Sequence, residues 1–115
     1  MLSEDKINES SQKRRMHMTI NTERQDAALT VALEGRLDTT TAPELEKALT
    51  EALDGVEALT IDLEKLEYIS SAGLRVLLSA QKRMMKQGEM KVVHVNETIM
   101  EIFEVTGFSD ILTIE

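Results

Sequence analysis

Two adjacent serines carry the clearest chemical potential in the chain. Ser70-Ser71-Ala72-Gly73 follows Tyr68-Ile69 and precedes a helical run, so the serines stand where a strand turns into a helix. Ser70 or Ser71 should cap that helix, a role worth ~1 kcal/mol. The unpaired amides of the first turn and the helix dipole favour negative charge there, and the small residues let another molecule's backbone come close. A hydrolytic serine fits poorly, because a nucleophile elbow has glycine two residues before the serine, where Ile69 stands before Ser71. Asp62 and Glu64, two apart on one strand, read as solvent-facing carboxylates before an acid/base pair. His94 is the one base available in the folded part, and its strand position directs it to the polar face. No phosphate-binding glycine pattern of the G-x-x-x-x-G-K-[ST] or G-x-G-x-x-G type occurs. With no cysteine and with His17 and His94 as the only histidines, thiolate chemistry and a multi-histidine metal site are excluded. These residue types imply no catalytic centre, no metal and no cofactor.

The elements that position the serines follow from hydrophobic period. Met18, Ile20 and Thr22 alternate with Thr19 and Asn21 and predict a first strand. Gln25-Asp26-Ala27 turns the chain into a second, with Leu29, Val31 and Leu33 on one face and Gly35 at its end. Thr41-Ala42-Pro43-Glu44 has the form of a capping box, and proline is tolerated in a first turn. It opens a helix whose buried stripe is Leu45, Ala48, Leu49, Ala52 and Leu53 and which stops near Gly55. Leu59, Ile61 and Leu63 predict a third strand, and a bend over Glu64–Glu67 leads to Tyr68-Ile69 and the serines. The second helix faces inward with Leu74, Leu77, Leu78, Met84 and Met85 and ends at Gln87-Gly88. A fourth strand covers Met90–Val95. Asn96 caps a third helix with Ile99, Ile102, Phe103 and Thr106 inward and Gly107 at its close, and Ile111–Ile114 forms a last short strand. Residues 1–17 are polar, lack apolar periodicity and predict a flexible tail, in which Lys13-Arg14-Arg15 is a solvated charge run. That leaves 18–115 as one domain.

The order is α/β, and right-handed crossovers join its strands into a mostly parallel sheet of four to five, with an antiparallel strand at the N-terminal end. Parallel strands covered on both faces read as unbroken apolar runs. Here the second and third strands alternate, so the three helices are expected mainly on one face of the sheet.

Charge narrows the function. Acids outnumber bases 21 to 13, a formal charge of −8, which disfavours a phosphate backbone as partner. Tyr68, Phe103 and Phe108 are too few for a base-stacking platform. No apolar run reaches the roughly 20 residues of a membrane span, and the N-terminus is unlike a secretory signal. A cytoplasmic, non-catalytic domain is expected, without nucleic acid or membrane as partner. Within it the second helix stands apart: Arg75, Lys82, Arg83 and Lys86 lie between Ser71 and Gly88 with no acid among them. Arg75, Ser79, Lys82 and Lys86 are three or four apart and share one exposed face leading away from Ser71. Lys82, Arg83 and Lys86 complement the C-terminal end of the dipole, whereas Arg75 stands in the first turn, against it.

The order of elements, the segment Leu33-Glu34-Gly35-Arg36-Leu37-Asp38 and the segment Tyr68-Ile69-Ser70-Ser71-Ala72-Gly73-Leu74 resemble the STAS-domain family of bacterial anti-sigma factor antagonists, from about Met18 to the C-terminus. The resemblance implies a STAS-type fold. It implies a serine in the strand-to-helix turn, within Asp-Ser-Ser/Thr-Gly-Leu, that an anti-sigma factor kinase phosphorylates; matching Gly73-Leu74 assigns Ser71 as that acceptor. By the same resemblance the unphosphorylated protein binds the anti-sigma factor, which has serine kinase activity, and frees the sigma factor, with a phosphatase as a further partner. The partner surface would take Asp38 and Thr39 from the neighbouring loop and Ser70, Ala72 and Gly73 from the turn. Arg75, Ser79 and Lys82 would extend it along the helix. Two positions depart from the family pattern: Ser70 stands in place of the aspartate, and Ala72 follows the acceptor where the family has Ser or Thr. The first departure favours an alternative, a constitutive STAS adaptor or subunit of a larger complex such as a lipid-transport or signalling assembly.

Overall fold

A hairpin starts the sheet. Strands β1 (Thr19–Gln25) and β2 (Ala28–Leu37) pair antiparallel, from Thr19 opposite Glu34 to Gln25 opposite Ala28. Two residues join them, and Asp26 takes φ 55°, the left-handed value that such tight turns need and that aspartate tolerates. The computed structural model describes residues 18–115; the tail expected over 1–17, with Lys13-Arg14-Arg15 and His17, lies outside the described residues.

Helix α1 (Ala42–Ala52), β3 (Ala58–Ile69), α2 (Ser71–Gln87), β4 (Glu89–Val93) and α3 (Glu97–Thr106) follow in order. The sheet runs β1-β2-β3-β4, with β2, β3 and β4 parallel. Leu29, Val31, Leu33, Leu59, Ile61, Leu63, Met90 and Val92 are buried, and the residues between them are exposed or half-buried. The buried stripes of all three helices join these side chains in a single core. The helices therefore cover one face of a four-stranded sheet, as the alternation predicts.

Several expectations are corrected. Gly35 does not end β2, which continues to Leu37, and no bend interrupts β3 at Glu64–Glu67. Both differences have one cause. The pairing of β2 with β3 slips between Ala32 and Glu34 and again between Gly35 and Arg36, and each slip places one extra residue in β3. Leu63, Leu66 and Ile69, spaced by three, thus all reach the core although a regular strand would turn every second one outward. Gly35, at φ 100°, sits at the second bulge. In α2, Val76 and Ala80 join the buried stripe, Leu78 is half-buried, and Met85, just past the stripe's edge, is 72% exposed. Strand β4 stops at Val93 and not Val95. Thr106 faces solvent and gives its hydroxyl to the Ile102 carbonyl at 2.6 Å. The last strand shrinks to one parallel bridge between Ile114 and Val92, because Phe108–Asp110 curl into a 3-10 turn after Gly107.

The C-terminal end of α1 and the loop after it are held by other elements. Its last turn has no basic residue, and its orphan carbonyls are met by other elements. Arg24 of β1 donates to Ala52 and Asp54, Arg83 of α2 donates to Thr50, and Gln87 donates to Leu53 and Val56 at 2.7 and 2.6 Å. Arg83 thus reaches the last turn of α1 while its Nε donates to Gln87 in the last turn of its own helix. Asn96 caps α3 as expected, accepting from Ile99, and also donates to the Leu66 carbonyl at 2.7 Å, tying α3 to β3.

Candidate functional site

The two serines divide their roles. Ser70 is the N-cap of α2: its backbone is extended and its hydroxyl accepts from the Gly73 amide at 3.3 Å. Its own amide donates to the Leu37 carbonyl at 2.9 Å, continuing the β2–β3 ladder by one rung. Ser71 is the first helical residue and is exposed, and its hydroxyl has no hydrogen-bond partner among the described residues. Capping therefore belongs to Ser70, and Ser71 keeps a hydroxyl unbonded among the described residues. The end of α2 is pressed onto the sheet through Gly73, which is buried; a β-carbon there would lie 2.6 Å from Leu37 Cγ and 3.0 Å from Ile69 Cγ1. Gly73 acts by packing inward and does not line the surface expected from the resemblance.

The neighbouring loop after β2 is locked by Asp38 and Thr41. The Thr41 side chain forms no cap bond and sits fully buried, so the expected capping box with Glu44 is absent. Its hydroxyl instead donates to the Arg36 carbonyl at 2.8 Å and accepts from the Asp38 amide at 2.9 Å. The Asp38 carboxylate in turn accepts from the amides of Thr40 and Thr41 at 3.0 and 3.2 Å. This pairing wins because α1 starts inside the core, where a threonine turned inward meets two backbone groups that would otherwise be buried unpaired. Arg36 stacks over the Tyr68 ring at 4.5 Å and stands 3.7 Å from Asp38, closing the outer side of the loop. Thr41→Val keeps the shape and removes both hydroxyl bonds; a stability loss of ~2 kcal/mol is expected, read as a lower urea midpoint at unchanged slope.

Between α1 and α2 runs an open groove of about 420 Å³, starting beside the turn and lined by Thr39, Ala42, Pro43, Glu46, Ala72, Arg75, Val76 and Ser79. It continues toward Arg83 along Leu49, Thr50 and Ala80. Of the eight residues assigned to the partner surface, the groove gathers Thr39, Ala72, Arg75 and Ser79. Asp38 shapes the loop, Ser70 caps the helix, and Lys82 is exposed but outside the lining. The wall supplied by α1 (Ala42, Pro43 and Glu46) is the part that sequence spacing missed.

One group of ligating side chains converges elsewhere. His94, just beyond β4 at φ 56°, brings Nδ1 to 3.1 Å from Asp62 Oδ1, and with Glu64 their ligating atoms lie within 4.8 Å of one another. Parallel register sets Asp62 beside Val93, which carries His94 across to the neighbouring strand. Asp62 Oδ1 is also taken by the Glu64 amide at 3.0 Å. These are the described residues that could hold a cation. Along the β2 ladder Asp62 lies about six residues from the level of Ser70, roughly 20 Å at the rise of a strand, so His94 is no base for either serine. No helix among the described residues is long and apolar enough to cross a membrane.

The fold has counterparts among known proteins. The model of the STAS domain matches residues 19–115. The chain is 33% identical over 99 residues to the anti-sigma-B factor antagonist of Staphylococcus aureus, covering 84% of this chain and 92% of that protein. Among solved structures it resembles an anti-sigma factor antagonist from Mycobacterium paratuberculosis, at 28% identity with a TM-score of 0.76 over 84% of each chain. It also shares its fold with the Bacillus cell fate determinant SpoIIAA in the phosphorylated form, at 16% identity and a TM-score of 0.67 over 84% of this chain and 91% of that one.

Proposed function

The chain belongs to the STAS domain family, and from that premise we propose that it is a cytoplasmic anti-sigma factor antagonist, a binding module and not an enzyme. Unphosphorylated, it binds an anti-sigma factor that has serine kinase activity and so releases the sigma factor. The kinase switches it off at Ser71: the serine Oγ bonds to the γ-phosphorus of ATP, the bond to the departing ADP breaks, and the hydroxyl proton passes to a base of the kinase. A phosphatase resets it.

One observation carries this reading. Ser71 is exposed at the first position of α2, its hydroxyl unbonded among the described residues, next to Ala72 on the rim of the α1/α2 groove. A phosphoryl group there adds about −1.5 to −2 charge at a helix end that tolerates it, so its effect falls on the partner. The name of the Staphylococcus relative supports the same partner class.

Ser70, where the family pattern has aspartate, favours a second reading, a constitutive STAS adaptor within a larger complex. Capture of partners by the purified chain from host lysate, with mass spectrometry of Ser71 with and without ATP, separates the two. An anti-sigma factor kinase among the captured proteins, with one phosphoryl group gained at Ser71, is expected. A transport ATPase with Ser71 unmodified would establish the adaptor.

A further inference from the structure

Among the described residues nothing pairs with Arg75. It is the fifth residue of α2, one position past the first turn, and that turn holds no acidic residue to pair with it. It forms no ion pair among the described residues, although Glu46 lines the same groove. It is exposed, so its alkyl stem fills no part of the core.

Four residues before it is Ser71, likewise exposed. Residues at i and i+4 are neighbours on a helix, with β-carbons about 5–6 Å apart. Long helical side chains lean back toward the N-terminus, so the reach of Arg75 is over the turn that carries Ser71. Its place in the groove lining with Thr39 and Ala72, at the turn end of the groove, agrees with that lean.

Resting on the assignment of Ser71 as phosphoacceptor, we propose that Arg75 is the internal counter-ion of the phosphoryl group. In the unmodified chain its guanidinium faces the groove and is offered to an acidic side chain of the anti-sigma factor. In the phosphorylated chain it is drawn to the phosphate as a charge-assisted pair. The partner then meets a new negative charge and loses its cation in the same event, so the electrostatic change at the interface exceeds that of the phosphate alone.

The titration needs neither kinase nor partner. Phosphoserine is installed genetically at position 71 of the full chain, and the second ionisation of its phosphate is followed by phosphorus NMR. A neighbouring cation favours the dianion, so the native chain should titrate about half a pH unit, roughly threefold, below the Arg75→Gln variant. Arg75→Lys should recover part of that shift and Lys82→Gln should leave the native value. Superimposed titrations of the native and Arg75→Gln chains would overturn the proposal. Failure of the parent reading looks different: phosphoserine-71 chain would bind the anti-sigma factor as tightly as unmodified chain, while the titration difference remained.

Discussion

Ser71→Asp should bind the captured anti-sigma factor about a thousandfold more weakly than the native chain while melting within a few degrees of it. The two halves of this result have separate causes. On the folding side, a carboxylate at the first position of α2 meets unpaired amides and the positive end of the dipole, which stabilises by ~0.3–1 kcal/mol, and exposed Ser71 has no bond among the described residues to lose. On the binding side, a charge buried at the interface or set against a like charge costs several kcal/mol; at ~4 kcal/mol the affinity falls about three decades. Ser71→Ala, which removes the hydroxyl and adds no charge, should stay within a few-fold of native. Calorimetric titration of each variant, with circular dichroism melts alongside, reads both halves. Equal affinities for the Asp and Ala variants would remove charge as the gate.

Gly73→Val is expected to destabilise by ~3 kcal/mol, lowering the melting temperature by roughly 10–20 °C. The added β-carbon alone would meet Leu37 Cγ at 2.6 Å, and Leu37 is fully buried on β2. A branched side chain adds two methyls and is stiff at χ1. The conflict is local and pairwise, which supplies its check. Leu37→Ala alone should cost ~3 kcal/mol as a cavity, but in the Gly73→Val background it opens room for the valine. The double variant should therefore be at least ~1 kcal/mol more stable than the sum of the single changes implies. Strict additivity in urea melts would show that α2 does not rest on Leu37.

Period-2 alternation made most of the sheet legible, because a strand with one wet face writes its burial into every second residue. Where the ladder slips, that record fails: Leu63, Leu66 and Ile69 follow a period of three, which reads as a bend until the partner strand is seen to have fewer residues over the same stretch. Thr41 misled for a related reason. Its type and its spacing to Glu44 satisfy a capping box, but the hydroxyl's partners are Arg36 and Asp38, upstream in the chain and invisible to a forward spacing rule. At the site, the strand-to-helix turn and the exposed face of α2 were readable from residue types. The choice between Ser70 and Ser71 as cap was not, since it depends on the backbone at Ser70, extended and bonded to Leu37. The α1 wall of the groove needed tertiary structure, because nothing in a helix's own sequence says which neighbour its outer face will meet.

The rung between the Ser70 amide and the Leu37 carbonyl bears on how the proposed phosphorylation of Ser71 would have to proceed. Many kinases take their acceptor in an extended strip of polypeptide, and to present Ser71 in that form the domain would have to release this rung, the Ser70 cap and the Leu74–Ser70 bond that begins α2. An enzyme that modifies Ser71 must instead dock on the assembled surface and accept a hydroxyl projecting from a helix end. The information that selects the serine is then three-dimensional: it belongs to the folded domain and does not travel with the short segment around the acceptor.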